Sequence, residues 1–441
     1  MRILISAVGS HGDILPFIGL ALALRERGHD VRLYGNGFFT DLVAGAGLTF
    51  VATSDARLYQ DGLTDQRLTD SRSGLALVAQ GVMSPVLPTY EAMARDVLPG
   101  QTLLVGSFFA FAPRLLAETQ GLPFAAIHLA PSAFRSDHLA PRISPLGHFE
   151  HWPRVIKGAF WAWMDRRILD PLFGEPLNRL RSRLGLPPAR RVLHRWIHHG
   201  SVTIGLFPEW LAPRQPDWPA DLQLVGFPMY DGPRARGLSP DLDAFLDAGT
   251  PPVVFTAGTG NATSHPFYAE SAQACERLGL RGLLVAQRRE QLPEVLPPGV
   301  MHVAHAPFSQ LFPRAAAVVH HGGIGTLSQA LRAGVPQLIR PMAYDQFDNA
   351  SRACRLGVAR ELLPRSYRGA RLESALRDVA NNPSIRAACE SVAERMAQED
   401  GLHSACAALE RRIDSGLSAS PVQDAASMPS EVTTMPTPSG P

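Results

Sequence analysis

The residues best suited to chemistry fall between positions 317 and 350, AVVHHGGIGTLSQALRAGVPQLIRPMAYDQFDNA. His320 and His321 precede Gly322, Gly323 and Gly325, and Thr326 closes the run. Glycine lets the backbone approach a ligand closely, and a helix starting at such a turn offers free N–H groups and the positive end of its dipole. That combination suits a phosphate. One strand later come Asp345, Gln346 and Asn349, acceptor-rich side chains that are otherwise common turn formers. A second glycine turn, AGTGN at 257–261, holds Gly258 and Thr259 and is weak evidence by itself. Near the start, GSHGDILP carries His11 and Asp13. A carboxylate there either accepts a proton from a substrate or merely caps a helix.

These residues need elements to hold them. Residues 2–8 read as an apolar strand, 9–13 as a turn, 14–27 as an amphipathic helix with Pro16 in its first turn, and 31–34 as a second strand. Such strand–turn–helix–strand units build parallel sheets. The alternation continues to residue 226, interrupted at about 132–200 by a stretch rich in Pro, Trp, Arg and His that reads as a helical insertion. Residues 227–250, with Gly and Pro frequent, read as a linker. A second strand–turn–helix unit begins at 252, and 251–414 reads as a second α/β domain ending in three helices. Ligands of open α/β sheets sit at the carboxyl ends of the strands, where both sets of candidate residues fall.

In register and in order, the pattern H-x-G-G-x-G-T, then G-V-P-Q, then D-Q-x-x-N-A resembles the donor signature of family 1 nucleotide-sugar glycosyltransferases. The resemblance runs from Arg2 to about Arg412 and implies the GT-B fold, two Rossmann-like doubly wound domains facing across a cleft. It casts Asp13 as general base; His11, where family members usually carry another residue, either lines the acceptor site or points into solvent. It casts His320 as the diphosphate-binding histidine, helped by Gly322, Gly323, Gly325 and Thr326, with Gly258 and Thr259 touching the same diphosphate. His305 and Phe308 align with the segment that holds the nucleobase, and Asp345 and Gln346 with the pair that bonds sugar hydroxyls. No metal ligand set is implied, and the co-substrate is a nucleotide sugar rather than a bound cofactor. Within the family the chain is similar to the bacterial rhamnosyltransferases of mono-rhamnolipid synthesis, through GSHGDILPFIGLA, LFPEWLAPRQPDWP and VGFPMYDG. That similarity implies dTDP-L-rhamnose as donor and a 3-(3-hydroxyalkanoyloxy)alkanoic acid as acceptor, with Met83, Phe108, Phe109 and Trp161 lining an apolar cleft. The runner-up is a UDP- or dTDP-hexose transferase acting on a sterol, macrolide or other apolar aglycone. Outside the enzymes stands a catalytically silent nucleotide-sugar binder.

The remaining composition is compatible with this reading. Hydrophobic residues make up 45% and charged residues 19% of 441, enough for two cored domains. A net charge of +2 argues against a nucleic-acid partner. Four well-separated cysteines form no metal spacing and suit a reducing cytoplasm. No stretch approaches the ~20 apolar residues of a membrane span. The expected location is therefore cytoplasmic, with room for peripheral contact at the inner membrane or with an enzyme that makes the lipid acceptor. Four tryptophans at 152, 161, 163 and 196, with Arg166, Arg167 and Arg181, read as a packed helical arm or as an apolar, cationic surface. Residues 415–441, mostly Ser, Pro, Thr and Ala, read as a disordered tail.

Overall fold

The computed structural model describes residues 1–64, 73–145, 149–198, 200, 202–232, 237–259 and 264–414. The tail expected at 415–441 lies outside them, as do residues 260–261 of the second glycine turn and 233–236 of the linker.

Thirteen strands form two parallel sheets. The first holds β1 (Arg2–Ser6), β2 (Asp30–Asn36), β3 (Thr49–Ser54), β4 (Thr102–Gly106), β5 (Phe124–His128), β6 (Val202–Gly205) and β7 (Leu222–Leu224). The second holds β8 (Val253–Thr256), β9 (Gly282–Val285), β10 (Val300–Val303), β11 (Ala317–His320), β12 (Gln337–Ile339) and β13 (Ala359–Glu361). Their orders are the same in kind: β3-β2-β1-β4-β5-β6-β7 and β10-β9-β8-β11-β12-β13. Each runs outward from its first strand in one direction, then reverses. The crevice of each sheet therefore opens at the carboxyl ends of β1 and β4, and of β8 and β11. Two Rossmann-like α/β halves of the GT-B type result.

The central strands are buried on both faces, which is why they read as unbroken apolar runs. Helix His11–Glu26 covers the first sheet through Phe17, Ile18, Leu20, Ala21 and Leu24. It starts three residues earlier than its apolar pattern indicates, so Pro16 sits beyond the first turn, where it has no N–H to give the Gly12 carbonyl.

Two domain boundaries need correcting. Helix Gly401–Asp414 does not cover the second sheet: Ala405, Cys406, Ala408 and Leu409 bury into the core of the first. Glu410 fastens it there, accepting Arg27 Nε at 2.9 Å and Nη2 at 2.6 Å. The linker also contains structure, since Leu242 and Leu246 of helix Pro240–Asp247 bury against the second sheet. The arm at 132–200 is helical through Arg154–Met164, a π-helical stretch at Asp165–Gly174, and Glu175–Arg183. It reaches the second half through Arg142, whose guanidinium grips Glu361 at 2.5 and 2.9 Å and whose N–H donates to Asp348.

Candidate active site

At the carboxyl end of β1 the chain turns at Gly9, φ +142°, against the Asp13 carboxylate. A Cβ at Gly9 would lie 2.3 Å from Asp13 Oδ2, so only glycine fits. Oδ2 accepts the Ser10 N–H at 2.7 Å and the Ser10 hydroxyl at 3.0 Å. Asp13 thus caps its own helix, and because both bonds end on Oδ2, Oδ1 is left to receive a proton. Burial pushes the Asp13 carboxyl above its ordinary range, partly offset by the two Ser10 bonds. A carboxylate made more basic in this way suits proton abstraction from an alcohol.

The second half faces it. Asp345, at the start of helix Gln346–Arg355, is raised to about 7, first by burial and next by the charge of Asp13. The two carboxyl groups are therefore near enough to feel each other's charge. His11 is lowered first by burial and next by the charge of His305. Asn349 Nδ2 bridges Asp345 Oδ2 at 2.8 Å and the Gly322 carbonyl at 2.9 Å, tying the Asp345 loop to the glycine turn. Gln346 folds back on its own loop, its Oε1 accepting from Met342 N and Ala343 N. Only its NH₂ remains to meet a sugar hydroxyl, a narrower role than its motif implies.

The two motif histidines are placed differently. His320 is the last residue of β11 and is fully buried. Its Nδ1 accepts the Gly322 N–H at 3.1 Å and its Nε2 bonds Gln337 Oε1 at 2.9 Å. Burial, then His321, lowers it to about 3, so it is neutral and both nitrogens are taken. It fastens the turn. His321, one residue on, occupies the turn itself. Its ring lies between the two glycine turns: a Cβ at Gly258 would meet Cε1 at 2.5 Å, and one at Gly323 would meet Nε2 at 2.4 Å. Burial lowers His321 to about 4, and its Nδ1 has no hydrogen-bond partner. Gly258 (φ +76°) and Gly322 (φ +93°) are both in the left-handed region, and a Cβ at Gly322 would strike Ile339. Helix Ile324–Arg332 begins beside this ring, presenting the first-turn N–H groups of Ile324, Gly325 and Thr326. Gly325 opens onto free space. Thr259 stands beside Gly258, partly exposed. This is an anion cradle built from backbone N–H groups and one neutral imidazole.

The base segment is split in its surroundings. His305 is exposed, whereas Phe308 stacks on Phe312 at 4.3 Å and is half-buried. On the acceptor side, Met83, Phe108 and Phe109 gather in one apolar cluster with Phe173 and Leu115. Phe109 stacks on Phe173 at 5.9 Å, and Phe108 meets His128 edge-on at the end of β5. Trp161 does not join them. It is 3% exposed, packed against Phe149 and Phe160 inside the arm with Arg135 4.9 Å over its ring, so it lines no cleft.

Two residues escaped the sequence reading. Tyr59, on helix Ala56–Thr64, packs on Phe38 and Phe39 as His11 does, its buried hydroxyl is unpartnered, and burial first, then Asp13's charge, pushes its pKa up. His128 bonds His198 at 3.2 Å in the core behind Phe108. No motif surrounds Tyr59; only its nearness in space reveals it. Among the described residues no cluster of three or more His, Cys, Asp or Glu could hold a metal ion.

Comparison with known proteins agrees with this fold. Residues 3–136 match the glycosyltransferase family 28 N-terminal domain, and residues 283–405 the erythromycin biosynthesis protein CIII-like C-terminal domain. The chain is 31% identical over 435 residues to the O-mycaminosyltylonolide 6-deoxyallosyltransferase of Streptomyces fradiae, covering 93% of this chain and 97% of that one. The solved structure of the glycotransferase of kitacinnamycin superposes with a TM-score of 0.74 at 20% identity, covering 93% of this chain and 99% of that one. The glycosyltransferase VinC in complex with dTDP superposes at 0.68 and 21%, covering 94% of this chain and all of the other.

Proposed function

Because the chain belongs to the erythromycin CIII-like glycosyltransferases of GT-B fold, we propose that it moves L-rhamnose from dTDP-L-rhamnose to the hydroxyl of a 3-(3-hydroxyalkanoyloxy)alkanoic acid. The observation that carries the reaction is a raised Asp13 carboxyl close enough to Asp345 to shift it, with Asn349 tying the Asp345 loop to the glycine turn. Asp13 Oδ1 takes the acceptor's proton as the acceptor oxygen forms its bond to the anomeric carbon. The bond from that carbon to the β-phosphate oxygen breaks, the diphosphate leaves with the electron pair, and the configuration inverts. The N–H groups of Ile324, Gly325 and Thr326, with His321, stabilise the charge gathering on the phosphate, a task metal ions perform in other enzymes. Asp345 and the Gln346 NH₂ bond the sugar hydroxyls, and His305 faces the base.

The thymidine nucleotide is supported by the dTDP held by VinC, and the lipid acceptor by the apolar cluster of Met83, Phe108 and Phe109. Each buried CH₂ is worth about 0.8 kcal/mol, so affinity should rise with tail length until the pocket is full. Purified protein with dTDP-L-rhamnose and a chain-length series of hydroxyalkanoyloxyalkanoates tests this: KM should fall over several carbons. A flat KM would remove the lipid acceptor. A second reading has its own support, because the Streptomyces fradiae relative is named for a macrolide acceptor. Turnover of a macrolide aglycone in preference to every lipid in the panel would select it.

A further inference from the structure

We propose that the arm helix Arg154–Met164 docks on an anionic lipid surface. Its outer face is apolar and uncovered: Val155 is 84% exposed, Ile156 48% and Trp163 49%, and Trp152 just before the helix is 50% exposed. Positions 155, 156, 159 and 163 fall on one side of an α-helix, so these side chains form a continuous stripe with Ala159 between them. Arg154, Arg166 and Arg167 border the stripe, all exposed. The one acidic residue from 152 to 167, Asp165, is buried and held by Arg135 at 2.5 Å and Arg191 at 2.9 Å.

Charge selects the occupant. Residues 151–200 contain ten Lys or Arg against three Asp or Glu, whereas the whole chain has a net charge of only +2. The arm is thus the positive pole of a molecule whose remainder is acidic, and a negatively charged surface would orient it arm first. Apolar side chains with an arginine border are the composition that settles into the headgroup layer of such a surface. A second copy fits worse, since a twofold contact through this face would set the arginines of one chain against those of the other. The stripe is also rigid. Trp161 is buried beneath it under Arg135, and Lys157 is buried with Nζ donating to the His138 carbonyl at 2.9 Å. The inference stands apart from the identity of the acceptor.

The test is co-sedimentation of the full chain with vesicles of phosphatidylglycerol and phosphatidylcholine, and with phosphatidylcholine alone. Binding is expected only to the anionic vesicles and should weaken as salt rises. Val155→Asp with Ile156→Asp, and separately Arg166→Glu with Arg167→Glu, should each lower it tenfold or more, while the helical circular dichroism and the transfer rate on a short soluble acceptor stay unchanged. Three results would overturn the proposal: no binding to anionic vesicles, equal binding by both variants, or a wild-type dimer that the Val155→Asp/Ile156→Asp change converts to monomer.

Discussion

The two halves share one sheet order and place a glycine turn at the same point, yet the turns are furnished differently. In the first, Gly9 makes room for a carboxylate, and burial without a cationic partner makes that carboxylate more basic. In the second, Gly258, Gly322 and Gly323 make room for an imidazole and bare backbone N–H groups, with no carboxylate inside the turn. The same topology thus yields a buried, more basic carboxylate on one side and bare backbone N–H groups beside an imidazole on the other. What a Rossmann-like turn does depends on what its glycines admit, not on the glycines themselves.

The largest effect should come from emptying the first turn of its base. Asp13→Asn keeps an oxygen for the Ser10 bonds and loses the proton acceptor, so kcat should fall by about 10²–10⁴ while the fold persists. A rate within a few-fold of wild type would reduce Asp13 to a helix cap. Next comes the histidine pair in the second turn. His321→Ala should weaken nucleoside diphosphate binding about ten- to a hundredfold, the worth of a hydrogen bond to a charged group, with little change in melting temperature. His320→Ala should do its primary damage to the fold: the Gly322 N–H and the Gln337 amide lose their partner, costing about 2 kcal/mol or more in urea unfolding. If the two variants exchange phenotypes, this division between the two histidines is wrong.

A smaller effect joins the halves. Asp345 titrates near 7 when folded and near 3.8 when unfolded, so between those values the native state holds the extra proton. Its contribution favours folding at low pH and fades as pH rises through about 7. Asp345→Asn should flatten this part of the stability–pH profile. Asp13→Asn should move the Asp345 titration downward, since a repelling charge is gone; an unmoved titration would mean the carboxyls do not feel each other's charge. The smallest effect is Tyr59→Phe. Removing a hydroxyl that awaits a partner beside Asp13 should raise the acceptor KM by about two- to tenfold, the range of one net hydrogen bond, and leave donor binding alone.

Much of this was legible in the sequence because it was local. Strand–turn–helix alternation follows from apolar period and glycine, and Asp13, Gly258, the Gly322–Gly323 turn and Asp345 lie in short motifs at strand ends. The histidines show where local reading stops. Two identical neighbours differ in role because β11 ends between them, and counting the buried run from Ala317 through His320 would have put the first inside the strand. Helix Gly401–Asp414 is amphipathic by pattern, but pattern does not say which sheet it covers. Trp161 reads as cleft-lining in the sequence because tryptophan type carries no direction; only its packing on Phe149, Phe160 and Arg135, with Val155, Ile156 and Trp163 left exposed, separates the inner face of the arm from the outer.

The division of labour between the turns is most directly tested by calorimetric titration of dTDP into wild type, Asp13→Asn and His321→Ala, side by side and without divalent ions. Asp13→Asn should bind as wild type does, and His321→Ala should bind at least tenfold more weakly. Weakened binding by Asp13→Asn with unchanged binding by His321→Ala would contradict the account.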